Sequence, residues 1–213
     1  VVEDSRMTEA THNLRQDVLG RIMAVSKALS ASADLIEILS LIIDAMRDVL
    51  DAERATVFEF DKEHNELFTT VAHGLSSDRD TELLSSAARM PNEIRIAITS
   101  GLAGECATQR RIINVPDAYA DRRFNQAIDR QTGFRTRSIL NIPLVGHDGE
   151  LVGVAQVLNK RGGPFSHEDE EIADALASHA AVAMRRGRLI EDRMVREKLE
   201  RDLQLARTIQ QSS

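Results

Sequence analysis

Tryptophan is absent from the 213 residues, tyrosine occurs once and aromatics make up 3% of the chain, so any core it forms must be aliphatic. Cysteine also occurs once, as Cys106, which excludes an internal disulfide and a multi-cysteine zinc site. A small residue half buried on a helix describes Cys106 better than a nucleophile does. Cationic excess is lacking too: 27 Lys and Arg stand against 34 Asp and Glu, for a formal charge of −7. General nucleic-acid or anionic-membrane binding needs a broad positive face that this chain cannot supply, although one pocket can be locally positive for a small anion. No stretch reaches the roughly 20 apolar residues of a membrane span, and no signal-peptide pattern opens the chain, so a cytoplasmic location is expected.

What is present is the balance of a globular protein, with 42% hydrophobic and 29% charged residues, in a length that suits one domain with extensions. Leu14, Val18, Ile22, Val25 and Leu29 recur as one stripe of an amphipathic helix. Ser30 to Ala33 interrupts it, and Asp34 with Glu37 three residues on reads as the cap of a second helix, whose apolar face is Leu35, Leu39, Ile42, Met46 and Val49. Arg54 to Phe60 and Glu66 to Val71 read as strands around a polar turn. Ser76 to Pro91 is polar and at best partly helical. Ile94 to Ile98 reads as a short strand, Gly101 to Thr108 as a short helix and Arg111 to Val115 as a strand ended by Pro116.

Between Pro116 and Arg137 runs a long loop with an amphipathic piece around Phe124, Ile128 and Phe134, and connections of that length are usually functional. Ser138 to Val145 and Leu151 to Asn159 are apolar strands joined by a turn containing Asp148-Gly149, a strong hairpin signal. From Ser166, a helix cap, the chain is helical almost to its end, with Asp169 and Glu170 in the favoured first turn. Past Arg185 it becomes an imperfect heptad tract through Val195, Leu199, Ala206 and Ile209, with Asp202 in the seam. A polar helix of that length pairs or frays.

In this order of elements, Asn159-Lys160, Phe165 and Asp169-Glu170 form an intact signature, through which the span from Leu35 to Met184 resembles the GAF domain family of cyclic-nucleotide phosphodiesterases and adenylyl cyclases. The resemblance implies an α+β fold: a six-stranded antiparallel sheet with helices packed on one face and loops covering a ligand pocket on the other, flanked by long N- and C-terminal helices. The segment Pro116-Asp117-Ala118-Tyr119-Ala120, Phe124-Asn125, Asp129 and Thr132-Gly133-Phe134-Arg135-Thr136-Arg137 is similar to the lid over the nucleotide. By resemblance Asp129, Thr132 and Thr136 line the phosphate and ribose side or close over it, and Leu102 and Ala103 offer backbone groups to the phosphate, as a glycine-flanked helix start can. Gln156 faces the base, Thr56 belongs to the same set, and Asn125 stands where relatives often stack an aromatic. That replacement forgoes about 1–3 kcal/mol of stacking if single-strand base stacking is a fair guide.

Two alternatives remain open for the signature and the lid. Lys160 and Asp169 more readily form an ion pair locking the last strand to the following helix than touch ligand, and Phe165 reads as core. Asp129 and Thr132, in an irregular segment, have little packing work to do, which favours a ligand role. The tract Glu197 to Gln211 is similar to the linker entering PPM-type serine phosphatases of bacterial sigma-factor regulation. It implies a C-terminal phosphatase domain in a longer protein.

No catalytic cluster accompanies these features. His12, His64, His73, His147, His167 and His179 are scattered, and neither an H-E-x-x-H, a nucleophile elbow nor a phosphate-binding lysine loop appears. GAF-like methionine sulfoxide reductases use several cysteines, and a bilin photoreceptor needs a suitably placed cysteine and many aromatics. The expectation is therefore a non-enzymatic, small-molecule-sensing module with no required cofactor or metal, cAMP or cGMP as possible ligand, and no nucleic-acid or membrane partner. Its parts are a signalling helix at 1–33, the GAF domain at 34–184 and a coiled-coil linker helix at 185–213 that pairs the chain into a homodimer. The rival is a ligand-free dimerisation and relay module, since sharing a fold settles little.

Overall fold

The structure, a computed structural model, describes residues 20, 21, 23, 24, 27, 34–73 and 94–211, with the backbone alone at 71–73, 128, 131–132 and 205–211. The N-terminal stripe from Leu14 to Leu29 and the polar stretch from Ser76 to Pro91 lie outside the described residues.

Helix α1 (Leu35–Val49) starts where Asp34 accepts a hydrogen bond from the Ile36 amide at 2.8 Å, satisfying one orphan donor of the first turn. It buries Ile38, Leu39, Ile42, Ile43, Ala45 and Met46, a wider stripe than the single row expected, in which Leu35 and Val49 are only half-buried. Asp51, at φ 48°, turns the chain into β1 (Ala52–Asp61). Asp61 then closes the next turn by accepting from the Glu63 and His64 amides, and β2 (Glu66–His73) returns beside β1.

The remaining elements are β3 (Arg95–Ala97), α2 (Gly101–Gln109), β4 (Ile113–Val115), a 3-10 turn at Ala118–Ala120, α3 (Ala127–Thr132), β5 (Ile139–Val145), β6 (Leu151–Lys160) and α4 (His167–Gln211). They form one six-stranded sheet in the order β3-β2-β1-β6-β5-β4, antiparallel at each described pairing. The first and last strands pair at its centre, so closure of the sheet waits on residues about 100 apart.

Strand alternation splits the molecule into two cores. On one face Ala55, Val57, Leu140, Ile142, Leu144, Ala155 and Val157 meet α1 and the first half of α4, with Leu176 and Met184 fully buried. Fully burying one such side chain is worth about 1.5–3 kcal/mol. Gly187 permits the two helices to meet, since a Cβ there would lie 2.7 Å from Leu35 Cδ2. The other face is the pocket side, where the short α2 packs beside the loops of the lid. Cys106, expected half-buried, is fully buried there, and burial pushes its thiol up to about 12, as an inert residue.

Helix α4 begins with reciprocal capping: the Ser166 amide donates to Asp169 Oδ2 at 2.7 Å, and the Asp169 amide donates to Ser166 Oγ at 3.3 Å. The helix runs unbroken for 45 residues. Beyond Arg188 its apolar side chains, Leu189, Ile190, Met194, Val195, Leu199 and Leu203, are more than half exposed. No described element of the chain covers them.

Candidate functional site

A cavity of about 130 Å³ opens on the sheet face opposite α1 and α4. Its floor comes from β1, β6 and β5 (Arg54, Phe58, Gln156, Leu158, Ile139), one wall from the start of α2 (Ser100 to Ala103), and its roof from the lid (Phe124, Asn125, Asp129, Phe134, Thr136).

The α2 wall is an anion-attracting surface. Ser100 precedes the helix in an extended conformation and its hydroxyl does not cap it, so the first-turn amides of Gly101, Leu102 and Ala103 keep their donors for another partner. Gly101 holds φ 67°, and a Cβ at Gly104 would fall 2.5 Å from the Ile98 carbonyl oxygen. Both positions need glycine, one for conformation and one for the close approach of α2 to the end of β3. Arg54 adds the positive charge of the floor, its guanidinium 3.7 Å from the centre of the Phe134 ring.

The lid has its own small core. Tyr119 packs against Phe124 with ring centroids 5.4 Å apart and beneath the Arg135 guanidinium at 3.4 Å. Asp129 ties this core together, because its carboxylate accepts from the Thr136 amide at 2.7 Å, the Thr136 hydroxyl at 2.7 Å and the Tyr119 hydroxyl at 3.1 Å. With Asp129 only 6% exposed, the expectation that it has little packing work is corrected: it latches α3 to both ends of the lid. A buried polar side chain is tolerable there because its oxygens accept from three donors.

Arg123 anchors the lid's other side to α2 through Glu105 at 2.8 Å and also binds Asp121. Hydrogen bonds from Arg123, with its charge, hold the Asp121 carboxyl below its ordinary range. Asn125 lines the cavity, but its side-chain oxygen accepts from the Ala127 amide at 2.9 Å, an Asx turn that starts α3.

Of the residues expected at the site, Leu102, Ala103, Asn125, Asp129, Thr136 and Gln156 do line the cavity. Thr56 shares their face of the sheet, opposite Gln156 in register, without lining it. Thr132 ends α3, and its side chain lies outside the described residues. Sequence reasoning missed Arg54 and Phe58. The period of β1 could have found both, because Arg54 and Phe58 alternate with Ala55 and Val57, which face the helices.

The signature residues stand apart from the cavity, at the corner where β6 hands over to α4. Asn159 is fully buried at φ 59°, a conformation asparagine tolerates. Its oxygen accepts from the Arg137 and Ser138 amides at 2.6 and 3.3 Å, and its nitrogen donates to Glu53 and to the Arg135 carbonyl at 2.8 and 2.9 Å. Lys160 Nζ meets Asp169 at 2.6 Å, the pair set above against ligand contact. Glu170 accepts from Asn114 at 2.8 Å, and Phe165 is buried in the helix-side core. The signature thus joins the foot of the lid, Arg135 to Ser138, to the start of α4. None of its five residues lines the cavity.

Farther along, α4 grips the opposite end of the sheet. Arg188 donates to Glu59 at 3.0 Å and to the Phe60 and Val152 carbonyls at 2.5 and 3.4 Å, and Arg185 binds Asp148 and Glu150 in the β5–β6 turn.

Among the described residues no group of His, Cys, Asp and Glu is placed to hold a metal ion, and no helix is long and apolar enough to cross a membrane.

Comparison with known proteins agrees with this fold. The family model of the GAF domain matches residues 34–184. The dual 3′,5′-cyclic-AMP and -GMP phosphodiesterase 11 of Drosophila melanogaster is 40% identical over 101 residues, 47% of this chain and 7% of that protein. The dual phosphodiesterase 11A of Takifugu rubripes is 31% identical over 180 residues, 84% of this chain and 19% of that protein. The chain therefore spans a small part of these relatives. Among solved structures, the GAF domain of a phosphoenolpyruvate-protein phosphotransferase from Coxiella burnetii superposes with a TM-score of 0.69 at 21% identity, covering 83% of this chain and 98% of that one. A free methionine-R-sulfoxide reductase from Neisseria meningitidis superposes at 0.61 with 16% identity, covering 83% and 91%.

Proposed function

Because the chain belongs to the GAF family of regulatory, small-molecule-sensing domains, we propose that its cavity receives a cyclic nucleotide, cAMP or cGMP, and that occupancy is read out through α4. The observation that carries this reading is the pairing of two chemistries in one cavity: uncapped first-turn amides at Gly101 to Ala103 for an anion, and Gln156 with apolar neighbours for a base. The two phosphodiesterase relatives, named for both cyclic nucleotides, support it.

At about 130 Å³ the cavity is small beside the roughly 300–1,000 Å³ of pockets for drug-sized ligands. Nucleotide entry is therefore coupled to movement of the lid. The lid's foot shares Asn159 with the strand that leads into α4, so a moved lid shifts the helix. Coupling of this kind requires that the nucleotide bind the open and closed arrangements with different affinity.

The apolar side chains exposed along α4 pair with a second copy in a parallel coiled coil, which places both helix ends together. Similarity of the Glu197–Gln211 tract to phosphatase linkers makes a PPM-type serine phosphatase, in a longer cytoplasmic protein, the element this helix controls. The segments 1–33, 34–184 and 185–213 then act as input helix, sensor and output linker. A ligand-free dimerisation relay is the competing reading.

Calorimetric titration of the chain with cAMP and with cGMP separates them. Dissociation constants of micromolar or below for either nucleotide, accompanied by a rise in melting temperature, are the expected result. No heat and no thermal shift at millimolar nucleotide would overturn the cyclic-nucleotide reading in favour of the relay. Scattering that shows a monomer at tens of micromolar would remove the dimer.

A further inference from the structure

A row of polar side chains crosses the face of the sheet that carries the cavity. In register Thr56 of β1 faces Gln156 of β6, and Gln156 faces Asn141 of β5. Gln156 lines the cavity, whereas Asn141 beside it is fully buried. One hydrogen bond joins the two amides, Gln156 Nε2 donating to Asn141 Oδ1 at 2.9 Å. Asn141 Nδ2 is buried with no hydrogen-bond partner, and interiors rarely leave an N–H donor in that state.

Two primary amides joined by a single bond have a second arrangement of nearly the same shape, because amide oxygen and nitrogen differ little in size. If both turn over, Asn141 Nδ2 donates and Gln156 Oε1 accepts. Asn141 Oδ1 then takes the unpaired place, where a carbonyl is tolerated better than an N–H. The consequence falls on the cavity side. In the first arrangement Gln156 is left with Oε1, an acceptor, for a ligand; in the second it is left with Nε2, a donor. The Thr56 hydroxyl on the other side of Gln156 can donate or accept and so is compatible with both.

We propose that Asn141 is a positioning residue that lets Gln156 present either an acceptor or a donor to the ligand, so that the pocket takes purines with a 6-amino or a 6-oxo edge. The inference rests on the cyclic-nucleotide reading above and deepens it by assigning dual base recognition to a residue that touches no ligand. A 6-amino purine offers a donor at that edge and a 6-oxo purine an acceptor, so each amide arrangement matches one of them. A glutamine fixed from behind by an acceptor-only partner would match the 6-amino edge alone.

The test compares the unaltered chain with Asn141→Asp and Asn141→Leu, by calorimetry with cAMP and cGMP and by proton–nitrogen NMR of the side-chain amides. Aspartate, as an acceptor, holds Gln156 Nε2 inward. The expected result is a shift of the cAMP-to-cGMP affinity ratio toward cAMP by roughly five- to tenfold, the worth of one neutral hydrogen bond. A purely structural role for Asn141 would weaken both nucleotides by the same factor and leave the ratio unmoved, and that result overturns the proposal.

Because a buried aspartate can unfold the protein, the spectra of nucleotide-free protein decide independently. The unaltered chain is expected to show two sets of Gln156 side-chain amide signals, or one exchange-broadened set, which becomes a single sharp set in Asn141→Leu. One sharp set in both proteins overturns the proposal. Should neither nucleotide bind the unaltered chain, the cyclic-nucleotide reading fails, while these spectra still show whether Asn141 governs the amide of Gln156.

Discussion

The two faces of the sheet are built from different materials. Against α1 and α4 the contacts are aliphatic, fully buried and nearly free of polar atoms, as at Leu39, Ile42, Ile43, Leu140, Leu144 and Leu176. Under the lid they are aromatic and charged, with the rings only half-buried, and depend on hydrogen bonds converging on the buried Asp129 and ring contacts to Arg54 and Arg135. Close-packed aliphatic contacts have one good arrangement and resist change, whereas a latch of a few hydrogen bonds can exchange partners. A sensor needs both, since a lid that moves is informative only against a frame that does not.

The comparison breaks most sharply under truncation. Ile42→Ala removes buried methylenes from the rigid face and leaves a cavity between α1 and the sheet. It should cost about 2–5 kcal/mol, read as a lower midpoint in chemical denaturation. Asp129→Ala, by contrast, should cost about 1–3 kcal/mol, because it leaves the buried Thr136 amide and the Tyr119 hydroxyl without their acceptor. Its signature is local. With one tyrosine and no tryptophan, intrinsic emission reports Tyr119 alone, so it should change in Asp129→Ala and stay nearly unchanged in folded Ile42→Ala. Equal emission changes in the two variants would erase the distinction between frame and lid.

The same contrast explains how much could be read in advance. Aliphatic periodicity carries the frame: α1, the β5–β6 hairpin and α4 follow from apolar spacing, the Asp148-Gly149 turn and the Ser166 cap, each of which acts within a few residues. The resemblance, rather than periodicity, pointed to the α2 wall and Gln156. What stayed illegible is what long-range geometry decides. Asp129 looked free for a ligand because its partners, Tyr119 and Thr136, lie ten residues before and seven after it. Arg54 looked like the start of an ordinary strand, 80 residues from the Phe134 ring it underlies. Asn141, in an apolar strand, gave no local sign that it stands beside Gln156.

Arg188→Ala probes the hold of α4 on the frame, since its guanidinium binds Glu59 and two strand carbonyls at the end of the sheet away from the signature corner. Loss of these charge-assisted bonds at a half-buried site should cost about 1–2 kcal/mol. If the clamp transmits the state of the lid, the variant should keep nucleotide affinity while nucleotide no longer alters hydrogen exchange in α4 beyond residue 188. Unaltered coupling in the variant would place transmission at the signature corner instead.

The smallest effect expected is one of pH. Burial of Glu53 opposes its ionisation, but hydrogen bonds from Arg137 and Asn159, with the Arg137 charge, outweigh it and hold the carboxyl below its ordinary 4.5. A carboxyl depressed in the folded state contributes stability that is fully present above the unfolded value and is lost as pH falls through the folded one. The contribution of Glu53 should therefore be constant above pH 4.5 and fade below it, so the difference in melting temperature between the unaltered chain and Glu53→Gln narrows as acid is added. Ile42→Ala should show no such narrowing from its own site, because nothing that titrates lies in the aliphatic cluster it disturbs. A Glu53→Gln difference that persisted unchanged well below pH 4.5 would mean that the lid's foot is held by the shape of the Asn159 corner rather than by the charge that faces it.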